Sequence, residues 1–148
     1  MFDNFNELYQ EVILDHSRSP RNYGPLPGAD CQAHGRNPLC GDTVTVFLKM
    51  DGDRIGAIRF EGSGCAIAKA SASVMTSALK GRTRAEVQAL FDRFHELVKT
   101  GHTDGESLGK LSVFGGVHKF PARVKCAILS WHAVMAALGG QAKPVSTE

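Results

Sequence analysis

The sequence predicts an α+β fold: a small antiparallel β-sheet of about three strands, covered by helices. Three observations lead there. The run TVTVFLKM alternates Val44, Val46, Leu48 and Met50 with Thr43, Thr45, Phe47 and Lys49, the period of a half-buried strand. Asp51-Gly52 follows it, a hairpin-turn signal, before the second strand DRIGAIRFEG. Elsewhere apolar residues recur every three or four positions, behind helix-start signals at Thr83 and Pro121. The 148 residues are expected to form a single domain, 1–148, able to bury a core without disulfides.

In chain order, Phe5, Leu8, Tyr9, Val12 and Ile13 lie on one face of a first helix, 1–18, expected to stop near Ser17 before SRSPRNYGPLPG. CQAHGRNPLC is a weak candidate for an edge strand. With Asp51-Gly52 as a two-residue turn, Met50 pairs with Asp53, Asp42 lies opposite Glu61 and Cys40 opposite Ser63. Strands sit about 4.8 Å apart, so Cys40 and Asp42 share the end of the hairpin that leads into GSGC at 62–65. Glycines 62 and 64 allow a sharp turn into a helix with Ile67, Ala70, Val74 and Ala78 buried and Gly81 as C-cap. Cys65 then falls at a helix N-terminus, where free N–H groups and the dipole favour a thiolate.

Thr83-Arg84-Ala85-Glu86 is a capping box ahead of Val87, Leu90, Phe91, Phe94 and Val98, a helix ending near Gly101. His102 to Gly116 reads as a loop with one short helical turn. Pro121 opens a last helix with Val124, Ile128, Trp131, Met135 and Leu138 on its apolar face, closed by Gly139-Gly140. Cys126 lies near its start, off that stripe. Residues 141–148 read as a mobile tail.

Composition excludes several function classes. The net charge of +2 carries no basic stripe for nucleic acid. No run of about 18 apolar residues occurs to span a membrane. MFDNFNELYQ lacks the basic and apolar regions of a secretory signal. The expected setting is the cytoplasm, where thiols stay reduced. There the four cysteines read as metal or redox ligands or as buried small residues. Cys31 has no turn-forming partner and reads as a packing residue. The histidines at 16, 34, 95, 102, 118 and 132 form no i, i+4 ligand pair; His118, just before the last helix, is the one retained as a candidate.

Cys40, Asp42, Cys65 and Cys126 thus form a candidate donor set of three thiols and one carboxylate, compatible with zinc or with an iron–sulfur cluster. Arg123 and Lys125 sit beside Cys126 as supporting positive charges. Spacing leaves the alternative open: Cys40 in a turn, with Cys65 and Cys126 as packing residues. No C-x-x-C occurs, and periodicity does not bring Cys126 to the other two.

NPLCGD, GSGCAIAKASASVMT and FPARVKCAILSW, in that order, resemble the U-type iron–sulfur cluster assembly scaffold family, and most of all its SufU branch. The likeness runs from LYQEVILDHSRSPRNYG to the last helix. It implies the α+β fold and a metal site at Cys40, Asp42, Cys65 and Cys126. It also implies a pyridoxal-phosphate-dependent cysteine desulfurase of the SufS kind as partner, with cluster assembly proteins downstream. In the IscU branch a histidine directly before the third cysteine helps hold the metal or cluster; Lys125 stands there in this chain. The segment 102–116 is likewise a SufU-like insertion. In that branch the site holds zinc and the protein accepts persulfide sulfur. Cys40, on a loop, is the expected acceptor, and Arg123 would hold the anionic site or the incoming persulfide. A scaffold that builds and transfers an iron–sulfur cluster on the same cysteines is the alternative, and a purely structural zinc domain a third.

Overall fold

The structure, a computed structural model, describes residues 2–102, 108–140 and 145–146, with the backbone alone for 2–9 and 145. Helix α1 (Phe2–Arg18) leads through a loop to strands β1 (Cys31–Asn37), β2 (Asp42–Asp51) and β3 (Arg54–Ser63). Helices α2 (Ala66–Leu79) and α3 (Arg84–Thr100) follow, then a 3-10 helix (Gly109–Lys119), α4 (Pro121–Leu138) and the two-residue β4 (Val145–Ser146). The sheet order is β3-β2-β1-β4. β1, β2 and β3 make a three-stranded antiparallel meander, and β4 adds in parallel at Gly35 and Arg36 of β1. β1 therefore has a neighbour on both sides at that end. Of the tail expected to be mobile, Val145 and Ser146 pair with the sheet; the rest of 141–148 lies outside the described residues.

The β2–β3 register differs from the sequence expectation. Asp51 pairs with Arg54, so the turn residues are Gly52 and Asp53, with Gly52 at φ +62° in the first central position. An irregularity at Lys49/Met50 advances β3 by one more residue, so Thr45 faces Glu61 and Thr43 faces Ser63. Burial explains the choice. Val46 and Leu48, both 0% exposed, then lie opposite Phe60 and Ile58, both 2% exposed. The expected register would have set Val44 against Arg59. A strand with one buried face settles on the pairing that matches apolar with apolar.

Helix α4 packs across β1 and β2, and α2 packs on β3 and against α1 and α4. Small residues let α2 approach its neighbours closely: Ser71 Oγ donates to the Ala127 carbonyl at 2.6 Å, and His16 Nδ1 meets Ser73 Oγ at 2.7 Å. Burial in α2 consequently spreads beyond Ile67, Ala70 and Val74 of the expected line to Ser71, Ala72, Ser73, Met75, Thr76 and Leu79, while Ala78, the fourth residue of that line, is half-buried. The same crowding buries Cys126, 3% exposed, although it lies off the apolar stripe of α4. Of the stripe in α1, Val12 and Ile13 are buried; the side chains of Phe5, Leu8 and Tyr9 lie outside those described.

The capping box of α3 forms as expected, with Thr83 Oγ1 accepting from Glu86 N–H at 3.1 Å and Glu86 Oε1 from Thr83 N–H at 2.9 Å. Where a loop with one turn was expected, residues 109–119 coil as a 3-10 helix. Leu111, Phe114 and Val117 are spaced by three, the repeat of that helix, and all are buried. Phe114 meets Phe94 edge-on, and Phe94 stacks on Trp131 with centroids 4.6 Å apart. Among the described residues, no helix is long and apolar enough to cross a membrane.

Phe94 is 0% exposed at the junction of α3, α4 and the 3-10 helix. Phe94→Ala should cost about 3–5 kcal/mol of stability, read from urea unfolding. Burial also lowers the pKa of His16, His95 and His132 below the ordinary 6.5. Below that value the unfolded chain takes up protons before the folded one, so acid favours unfolding. The urea midpoint should hold from pH 8 to about 7 and fall as pH drops below the ordinary histidine value, and His132→Gln should flatten that fall.

Candidate metal centre

The β1–β2 connection builds half of the centre. Asn37 and Asp42 are the last paired residues of the two strands, and Pro38 to Gly41 close the hairpin between them. The Asn37 carbonyl accepts from Cys40 N–H at 3.2 Å and from Gly41 N–H at 2.8 Å. This fold of the loop leaves Cys40 exposed at its tip, while Asp42, the first residue of β2, is only 1% exposed.

The β3–α2 junction supplies the next part. Cys65 is the N-cap of α2, and its Sγ accepts from Ala68 N–H at 3.4 Å. Its own N–H donates to Asp42 Oδ1 at 2.9 Å, and its Sγ lies 3.8 Å from Asp42 Oδ2. Gly64 makes this approach possible, since a Cβ there would collide with the Asp42 carboxylate. The other thiol comes from the second turn of α4: Cys126 Sγ is 3.4 Å from Cys40 Sγ. Ligand atoms of Cys40, Asp42 and Cys126 all lie within 4.8 Å of one another. Cys65, exposed, joins them through Asp42 and lines the same cleft.

The electrostatics call for a cation. Asp42 is buried, and among the described residues no Lys, Arg or His forms an ion pair with it. Burial pushes the Cys126 thiol far above its ordinary pKa, helped by its hydrogen bonds to Asp42 and Cys40 and by the neighbouring Cys65. A buried carboxylate beside a buried thiol is costly by itself and well matched to a metal. Thiolate sulfur with a carboxylate oxygen suits zinc, and the sulfurs suit an iron–sulfur cluster. The trio of Cys40, Asp42 and Cys126 can coordinate a metal ion of either kind.

The remaining residues singled out in the sequence fall in different places. Arg123 is exposed and lines the cleft of Cys40, Cys65 and Cys126, its guanidinium 4.9 Å from the centre of the Phe120 ring. Lys125 lines a separate cleft on the other side of α4, with His95, His118 and His132. His118 Nδ1 is engaged by the Gly115 carbonyl at 2.8 Å. Cys31 is half-buried at the far end of β1, opposite Leu48. One residue escaped the sequence reading. Asn37, 0% exposed, points its amide at Cys126 Sγ, 3.8 Å away. Its only sequence signal is Asn-Pro, which reads as a turn.

Comparison with known proteins agrees with this geometry. The family model described as NifU-like N terminal domain matches residues 8–127. The iron–sulfur cluster assembly scaffold protein IscU of Streptococcus pyogenes is 40% identical over 134 residues, 90% of this chain and 84% of the relative. The zinc-dependent sulfurtransferase SufU of Bacillus subtilis is 41% identical over 132 residues, covering 88% and 89% of the two chains. Among solved structures, the N-terminal part of a NifU-like protein from Brucella abortus superposes with a TM-score of 0.83 at 28% identity, over 92% of this chain and 95% of the other. With sequence, fold and the cysteine–aspartate cluster in agreement, the chain belongs to the IscU/SufU-like iron–sulfur cluster assembly scaffold family.

Proposed function

We propose that this protein is a zinc-bearing acceptor of persulfide sulfur, working in the cytoplasm with a SufS-like cysteine desulfurase. In this reading Cys40, Asp42, Cys65 and Cys126 hold the ion. The observation that carries it is the pairing of an exposed loop thiol, Cys40, with a buried thiol, Cys126, and a buried carboxylate, Asp42. Bound zinc keeps its thiol ligands deprotonated at neutral pH. A similarity of 41% to a zinc-dependent sulfurtransferase supports the same reading, as does Lys125 where the IscU branch carries a histidine ligand.

The chain's own residues then divide the work. Cys126 is anchored in α4, and Cys65 is tied to the α2 backbone through Ala68 N–H. Cys40 accepts the sulfur, since a loop thiol can turn towards a donor most freely. Its thiolate attacks the outer sulfur of the donor persulfide; the donor's S–S bond breaks and its cysteine leaves as thiolate. Cys40 then carries the persulfide, with no net oxidation. Arg123, exposed in the cleft beside the sulfurs, supplies positive charge for the incoming anion.

The second reading is a scaffold that builds and passes on an iron–sulfur cluster, as the name of the 40%-identical Streptococcus pyogenes relative implies for that protein. Anaerobic incubation with a cysteine desulfurase, L-cysteine and iron separates the two. The acceptor gains one sulfur on Cys40, seen by mass spectrometry, and accelerates the desulfurase. A visible-absorbing cluster that moves to an acceptor apoprotein would favour the scaffold. Cys40→Ala should stay folded and abolish activation; an unfolded variant, or one with activation intact, would favour a structural zinc domain. Gly64→Ala, which drives a methyl group into Asp42, should lower zinc affinity by at least about tenfold in a chelator competition.

A further inference from the structure

We propose that Asn37 is a positioning residue of the metal centre, joining the Cys40 loop to Cys126 and steadying the Cys126 sulfur with its amide N–H. The inference rests on the reading of the cluster as a metal centre. Asn37 is 0% exposed. Its main-chain carbonyl takes the N–H groups of Cys40 and Gly41, and its Oδ1 accepts from Leu39 N–H at 3.3 Å. Its Nδ2 points at Cys126 Sγ, 3.8 Å away and 89 residues distant in sequence. One side chain thus grips the loop that carries Cys40 with one arm and reaches the thiol anchored in α4 with the other.

The chemistry favours an amide in this place. Cys126 is 3% exposed, so its sulfur has lost nearly all hydration, and negative charge on it needs a nearby donor. A lysine or arginine would supply that donor but repel the metal cation. A neutral amide supplies a dipole without adding charge, and its second arm fixes its direction. Partners behind metal ligands commonly hold the ligand's orientation and tune its donation in this way.

Two variants separate the arms. Asn37→Ser keeps a hydroxyl able to accept from Leu39 N–H but too short to reach Cys126; Asn37→Ala removes both contacts. The full chain, stripped of metal, is loaded with Zn(II) for affinity by chelator competition and with Co(II) for its thiolate-to-cobalt absorption band. Folding of the metal-free variants is followed by circular dichroism. The expected result is a folded Asn37→Ser protein whose zinc affinity falls about tenfold and whose cobalt–thiolate band shifts. Asn37→Ala should show at least the same loss. An Asn37→Ser protein matching the parent in both affinity and band overturns the proposal. So does one that fails to fold, because the residue then serves the fold rather than the site, and so does a parent chain that binds neither ion. Desulfurase activation is not among the readouts: a parent that binds zinc but takes no sulfur ends the acceptor reading and leaves the Asn37 comparison intact.

Discussion

A buried carboxylate governs this molecule. Asp42 sits 1% exposed at the start of β2, with an N–H of Cys65 on one oxygen and sulfur close to the other. An unpaired buried charge is expensive, and its surroundings are organised around that cost. Gly64 leaves the space the carboxylate needs, and the start of α2 brings it the Cys65 N–H and a favourable dipole. What these contacts do not provide is a full positive charge, and the sulfurs gathered around it add potential negative charge. A metal ion held by Cys40, Asp42 and Cys126 would supply the positive charge that these contacts lack.

The rest of the architecture serves to bring three distant segments to that point. The β1–β2 loop, the β3–α2 junction and the second turn of α4 approach one another because α2 and α4 lie side by side on the sheet. Small residues keep the two helices close, as the Ser71–Ala127 hydrogen bond records. Larger residues at 71 or 127 would push α4 outward and carry Cys126 away from Cys40. Core packing and metal geometry are therefore a single constraint, with Phe94, Phe114 and Trp131 bracing the far side of α4.

The three thiols are not equivalent. Burial holds Cys126 in place, a backbone N–H and a helix start restrain Cys65, and only the loop carries Cys40. This difference in anchoring is the physical basis for the different roles proposed for them. Asn37 stands between the loop that carries the exposed Cys40 and the buried sulfur of Cys126.

Local patterns in the sequence determined the elements themselves: the alternation in β2, the capping box of α3, the proline start of α4 and the glycine-flanked Cys65. They also placed Cys40 and Asp42 at the hairpin end nearest Cys65, a conclusion that survives the register shift because every antiparallel pairing of these strands shares it. Turn chemistry could not choose that register, since it depends on which residues the helices bury. The 3-10 helix was hidden because a spacing of three in a glycine-rich stretch matches neither a strand nor an α-helix. Most of all, nothing local carried Cys126 to Cys40 or Asn37 to Cys126. Those approaches arise from the packing of α4 across β1 and β2, and contacts between residues nearly ninety positions apart are decided only when the whole core closes.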